Sequence, residues 1–131
     1  MGLARLLPAL LVAAALTACG DDEQPASPAP ADTTQLTVHV TGTGSPVVVE
    51  LRCGGADPCE RSRLDKLAAV TEPPEPTRAC TQVYGGPEEA HVTGTLEGKP
   101  VDVTVTRSDG CGIADYERLF EALGRKPPLA G

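Results

Sequence analysis

Tryptophan is missing from these 131 residues, and only two tyrosines, one phenylalanine and one methionine are present. Any core must therefore be built mostly from valine and leucine. The aromatics are Tyr84, Tyr116 and Phe120 alone, the basic residues are scattered, and the net charge is −7. A chain without stacking platforms or a positive stripe lacks the footprint of a nucleic-acid binder, so no nucleic-acid partner is expected. No GxSxG, HExxH or glycine-rich phosphate loop occurs. Those signatures place a nucleophile, a metal-bound water or a nucleotide, and without them catalysis is not expected. There is also no Cys-x-x-Cys pair to join His39 or His91 in a zinc site, and neither a metal nor another cofactor is expected. The longest apolar run, residues 6–16, is too short to span a bilayer.

That run follows a short basic head, residues 1–5, as in an export signal. It ends in Leu16-Thr17-Ala18-Cys19-Gly20, which resembles the lipobox of bacterial lipoproteins. The resemblance implies cleavage after Ala18 and a diacylglycerol on the sulfur of Cys19. An ordinary signal cleaved there would want a small residue three places before the cut, where Leu16 stands. The expected organisation is a lipoprotein signal peptide over 1–18, a lipid-anchored disordered linker over 19–34, and one folded domain over 35–131. The linker carries Pro25, Pro28 and Pro30 and no large apolar side chain able to feed a core. The expected location is outside the cytoplasm, anchored through Cys19 to the outer face of the cell membrane or released from it.

With Cys19 assigned to lipid, Cys53, Cys59, Cys80 and Cys111 remain for an oxidising compartment. Four cysteines allow three pairings that sequence alone does not distinguish, and spacing gives a preference only. Cross-links matter here because a domain of this size buries a modest fraction of its surface. Arg5 leaves with the signal, so ten basic residues face eighteen acidic ones in the mature chain, a balance of −8.

The hydrophobic pattern predicts an α+β domain. Residues 35–41 alternate, with Leu36, Val38 and Val40 on one face, and a Gly/Ser/Pro turn leads into a second strand over 47–52. After Asp57 and Pro58, which suit a helix start, Leu64, Leu67, Ala68 and Val70 form an apolar stripe ending near Val70. Pro73, Pro74 and Pro76 then force a loop up to Cys80. Residues 91–96 and 101–107 alternate around a tight connection at 97–100, the clearest hairpin in the chain. Tyr116, Leu119, Phe120 and Leu123 stand at helical spacing over 115–123, closed by Gly124.

This order, with the motifs Leu36-Thr37-Val38, Cys80-x-x-Val83-Tyr84, Thr93-Gly94-Thr95, Gly98-Lys99-Pro100-Val101 and Ser108-Asp109-Gly110-Cys111, resembles the subtilisin inhibitor-like family of secreted bacterial serine protease inhibitors. The resemblance covers nearly all of the 35–131 domain. It implies an antiparallel sheet of about five strands, two short helices, and disulfides Cys53–Cys59 and Cys80–Cys111. It also implies a serine protease as partner, inhibited by a substrate-like mechanism at the bond Gln82–Val83. Gln82 would fill the enzyme's primary specificity pocket. Cys80 and Thr81 would pair with the enzyme on the acyl side, and Val83 and Tyr84 would lie on the leaving-group side. Family members commonly dimerise through the sheet, so a homodimer is a further expectation, with a Val-rich strand face to serve it. Several positions depart from the family pattern. Thr81 replaces a common proline, Gly85-Gly86 adds flexibility after Tyr84, and Asp109 stands where an asparagine commonly braces the loop. The alternative expectation is a surface-tethered binding or structural module on the same scaffold, without inhibition.

Overall fold

The computed structural model describes residues 30–131; the signal segment, Cys19 and the linker up to Ala29 lie outside the described residues. The elements run β1 (Thr34–Thr41), β2 (Val47–Cys53), α1 (Arg61–Thr71), β3 (Glu89–Leu96), β4 (Lys99–Thr106) and α2 (Gly110–Leu123). The four strands form one antiparallel sheet in the order β2-β1-β3-β4. The architecture is α+β with two helices and two disulfides.

Register explains the core. Val47, Val40, Ala90 and Val105 align in one row across the sheet, and Val49, Val38, Val92 and Val103 in the next. Side chains alternate along a strand, so these rows share one face. Both helices cover that face with Leu64, Leu67, Val70, Tyr116, Leu119, Phe120 and Leu123. Tyr116 and Phe120 pack with ring centroids 4.9 Å apart. The opposite face carries Thr37, His39, His91, Thr93 and Asp102, and its one exposed valine among the described residues is Val48. The Val-rich face is thus the covered one. His39 lies directly across from His91, whose Nε2 is 2.7 Å from an Asp102 carboxylate oxygen.

The described residues contain four strands, one fewer than the resemblance implies. Alternation itself marks only four segments. The remaining long connection, 72–88, carries Pro73, Pro74, Pro76 and Pro87, which lack the N–H a ladder needs. Hairpin geometry is local and follows the sequence. Glu97 and Gly98 have φ of 48° and 77°, the two positive values that a two-residue turn matched to strand twist requires.

Helix starts differ from expectation for a physical reason in each case. Asp57 does not cap α1: its backbone bonds back to Gly54 inside the Cys53–Cys59 loop, and the helix begins at Arg61 after Glu60. α2 starts at Gly110, five residues before the expected start at 115, because the Asp109 carboxylate accepts the Gly112 N–H at 2.7 Å. β1 starts at Thr34, one residue before the expected domain edge; its buried hydroxyl accepts the Glu97 N–H at 3.0 Å.

Candidate functional site

The chain leaves α1 through its proline-rich connection and reaches Cys80 without regular structure. From there to Gly86 it crosses the short segment, residues 107–111, where β4 hands over to α2. Each contact on that crossing is specific. Arg78 makes a two-pronged pair with Asp115 on α2, at 2.7 and 3.1 Å. That pair raises the Arg78 pKa, chiefly through its hydrogen bond to Asp115. Cys80 is disulfide-bonded to Cys111 in the first turn of α2. The Thr81 carbonyl then accepts the Gly110 N–H at 2.9 Å.

On the other side, the Gly85 N–H donates to the Arg107 carbonyl at 2.7 Å. Between these two backbone pins stand Gln82, Val83 and Tyr84. Among the described residues, none of the three makes a hydrogen bond, and Val83 and Tyr84 are 57% and 67% exposed. A large aromatic and a valine thus stand out side by side from a backbone held on both sides.

Gly85 and Gly86 do not loosen this loop; they let it sit close to the body. A Cβ on Gly85 would meet Ile113 at 2.5 Å, and one on Gly86, whose φ is 139°, would strike the Glu88 carboxylate. Asp109 also has a role other than bracing the loop by its side chain. Its carboxylate is spent on the α2 N-terminus, and the bracing bond comes from the neighbouring Gly110 backbone.

Behind the loop, Arg107 and Glu88 form an ion pair at 2.9 Å with side chains 12% and 2% exposed. The Arg107 Nε is buried without a partner among the described residues, and its guanidinium carbon lies 5.6 Å from the centre of the Tyr116 ring. Burial, then the nearby Glu88 charge, pushes the Tyr116 hydroxyl up to about 12, so it stays protonated and donates to the Pro128 carbonyl at 2.8 Å.

Cys80, Thr81, Gln82, Val83, Tyr84 and Cys111 thus come together in one exposed structure. Cys53 and Cys59 staple the β2–α1 connection instead, and Cys19 lies outside the described residues. Cys80, Asp109 and Cys111 place their side-chain donor atoms within 4.8 Å of one another, but both sulfurs are bonded to each other and offer no thiolate to a metal. The loop itself carries an amide, an isopropyl and a phenol. It can present a peptide bond and bury side chains; it has no paired nucleophile and base with which to cut one. The pattern of residues gave no signal for Arg78, Asp115, Glu88 and Arg107, because their pairings span 37 and 19 residues with no periodicity between them.

Comparison with protein-family models, with curated proteins and with solved structures finds no match.

Proposed function

We propose that this chain is a serine endopeptidase inhibitor that presents the Gln82–Val83 bond to its target in the manner of a substrate. The observation that carries this reading is the three-residue exposed segment, Gln82 to Tyr84, pinned at Thr81 and Gly85 onto one short stretch of backbone and stapled by Cys80–Cys111. A flexible peptide bound by a protease loses about 0.5–1.5 kcal/mol for each rotamer-rich side chain it orders, before any backbone cost. A loop already fixed in place avoids much of that loss, so an interface of ordinary size becomes tight. The same fixation opposes the separation of the two halves after the enzyme's serine attacks the Gln82 carbonyl.

Gln82 takes the primary specificity pocket. Its neutral amide suits neither a large apolar pocket nor one lined by a carboxylate, which points the chain toward an enzyme with hydrogen-bonding groups in that pocket. The test is inhibition by the chain, beside Gln82→Met, against subtilisin-like, trypsin-like and Glu/Gln-preferring serine proteases. The expected result is inhibition of a Glu/Gln-preferring enzyme by the unmodified chain, and a shift of about tenfold or more toward subtilisin in the variant. If neither protein inhibits any member, the inhibitor reading falls and a tethered binding module replaces it.

Two disulfides are compatible with an extracytoplasmic protein. We further propose anchoring to the outer face of the membrane through lipid on Cys19. Multiple acyl chains hold a protein far more firmly than one. Cys19→Ala should move the chain from the membrane fraction to the soluble one, and an unchanged distribution would sink the anchor.

A further inference from the structure

The contacts behind the loop converge on one buried carboxylate. Glu88 accepts the Ala130 N–H at Oε1, at 2.6 Å, and the Arg107 guanidinium at Oε2, at 2.9 Å. Arg107 supplies the carbonyl that fixes Gly85, two residues after Val83. The tail is tied a second time where the Tyr116 hydroxyl donates to the Pro128 carbonyl. Gly86 rests directly on the pair: a Cβ there would strike the Glu88 carboxylate and come 3.1 Å from an Arg107 guanidinium nitrogen. A continuous set of polar contacts therefore joins the last residues of the chain to the leaving-group side of the loop.

We infer that the C-terminal residues 127–130 form a strap which, through Glu88 and Arg107 as positioning residues, keeps the leaving half of the loop in place after cleavage so that the bond is remade. This rests on the reading of Gln82–Val83 as the presented bond. When a protease serine attacks the Gln82 carbonyl, the C–N bond breaks, an ester joins Gln82 to the serine oxygen, and the serine proton ends on the Val83 amine. In reversal that amine attacks the ester, the C–N bond re-forms and the serine oxygen recovers its proton; no water is consumed. Hydrolysis wins only if the amine drifts away and water takes its place. Two links, Val83 to Tyr84 and Tyr84 to Gly85, separate the amine from the pinned residue. The pair beneath that pin is difficult to open, because separating buried partners leaves an uncompensated charge.

Ala130→Pro deletes the N–H that Glu88 accepts, at an exposed residue and without changing charge. The full chain carrying Gln82→Met is compared with the same chain also carrying Ala130→Pro, using subtilisin as the probe. Ala130→Gly keeps the N–H and serves as the control. Three quantities are read: the initial inhibition constant, the rate of cleavage between residues 82 and 83 by mass spectrometry, and amide exchange at Gly85 in the free protein. The expected result is cleavage and Gly85 exchange faster by about tenfold, the scale of one charge-assisted hydrogen bond, with the initial inhibition constant weakened by less than that because the Thr81 pin and the Cys80–Cys111 staple remain. Cleavage and Gly85 exchange that match the glycine control would overturn the strap while leaving the inhibitor reading standing. A parent Gln82→Met chain that does not inhibit subtilisin at all would overturn the reactive-site reading instead, and the bond-remaking role with it.

Discussion

Glu88 follows a proline in what reads as a loop, yet it is 2% exposed. Its pKa is lowered foremost by the Ala130 N–H, with burial opposing and Arg107 reinforcing. A carboxyl whose folded pKa lies below its unfolded one stabilises the fold at pH values above the unfolded value, near 4.5, and that contribution is lost as pH falls through the folded value. Glu97 and Glu121 are lowered in the same direction by Arg61 and Lys66, but those pairs are surface-exposed and weakened by solvent and salt. Urea midpoints measured from neutral pH downward should therefore fall more steeply below about pH 4.5 for the natural chain than for Glu88→Gln; identical slopes would contradict the assignment. Nothing local marks Glu88 as buried, because its partners stand 19 and 42 residues away. The same holds for Gly85-Gly86, where local propensity suggests mobility and close packing against Ile113 and Glu88 decides otherwise.

At the scale of elements, periodicity located both helices and four strands, since which side chains face the core depends on spacing alone. Helix starts were less legible, because several polar residues could cap and the winner depends on what its backbone already does. Asp57 bonds within a disulfide loop, while Asp109 is free to accept the Gly112 N–H. Asp109→Ala should lower stability by about 0.5–2 kcal/mol, and Asp57→Ala, which leaves the backbone bonds intact, by less than about 0.5. Thermal denaturation distinguishes the two, and equal losses would refute the cap. The Asp109 substitution also loosens the turn on which Cys111 and Gly110 hold the loop, so it should weaken inhibition as well.

Across the whole molecule the two disulfides have separate tasks. Cys53–Cys59 closes a separation of 6 residues and Cys80–Cys111 one of 31. Chain entropy assigns them about 2 and about 4 kcal/mol. Replacing Cys80 and Cys111 with serine should cost more stability and should also abolish inhibition at temperatures where the variant remains folded. Replacing Cys53 and Cys59 should cost less and leave the inhibition constant within about threefold, because that staple lies in the β2–α1 connection. Calorimetry and inhibition assays on the two double variants check this; equal losses of inhibition would mean that the loop is not held by its own staple.

The amino-acid order was enough to set the α+β class, the apolar faces of strands and helices, the β3–β4 hairpin and the loop that leads to Cys80, because each follows from spacing or from the conformational limits of proline and glycine. The tertiary structure alone decided the strand order β2-β1-β3-β4 and the joining of Arg78 to Asp115. It likewise decided the seating of Gly86 on the Glu88–Arg107 pair and the tie from Glu88 to the C-terminal tail. Those contacts bring together charges and backbone groups far apart in the chain, and no local preference encodes which distant partner a buried charge or a loop carbonyl will meet once the core has closed.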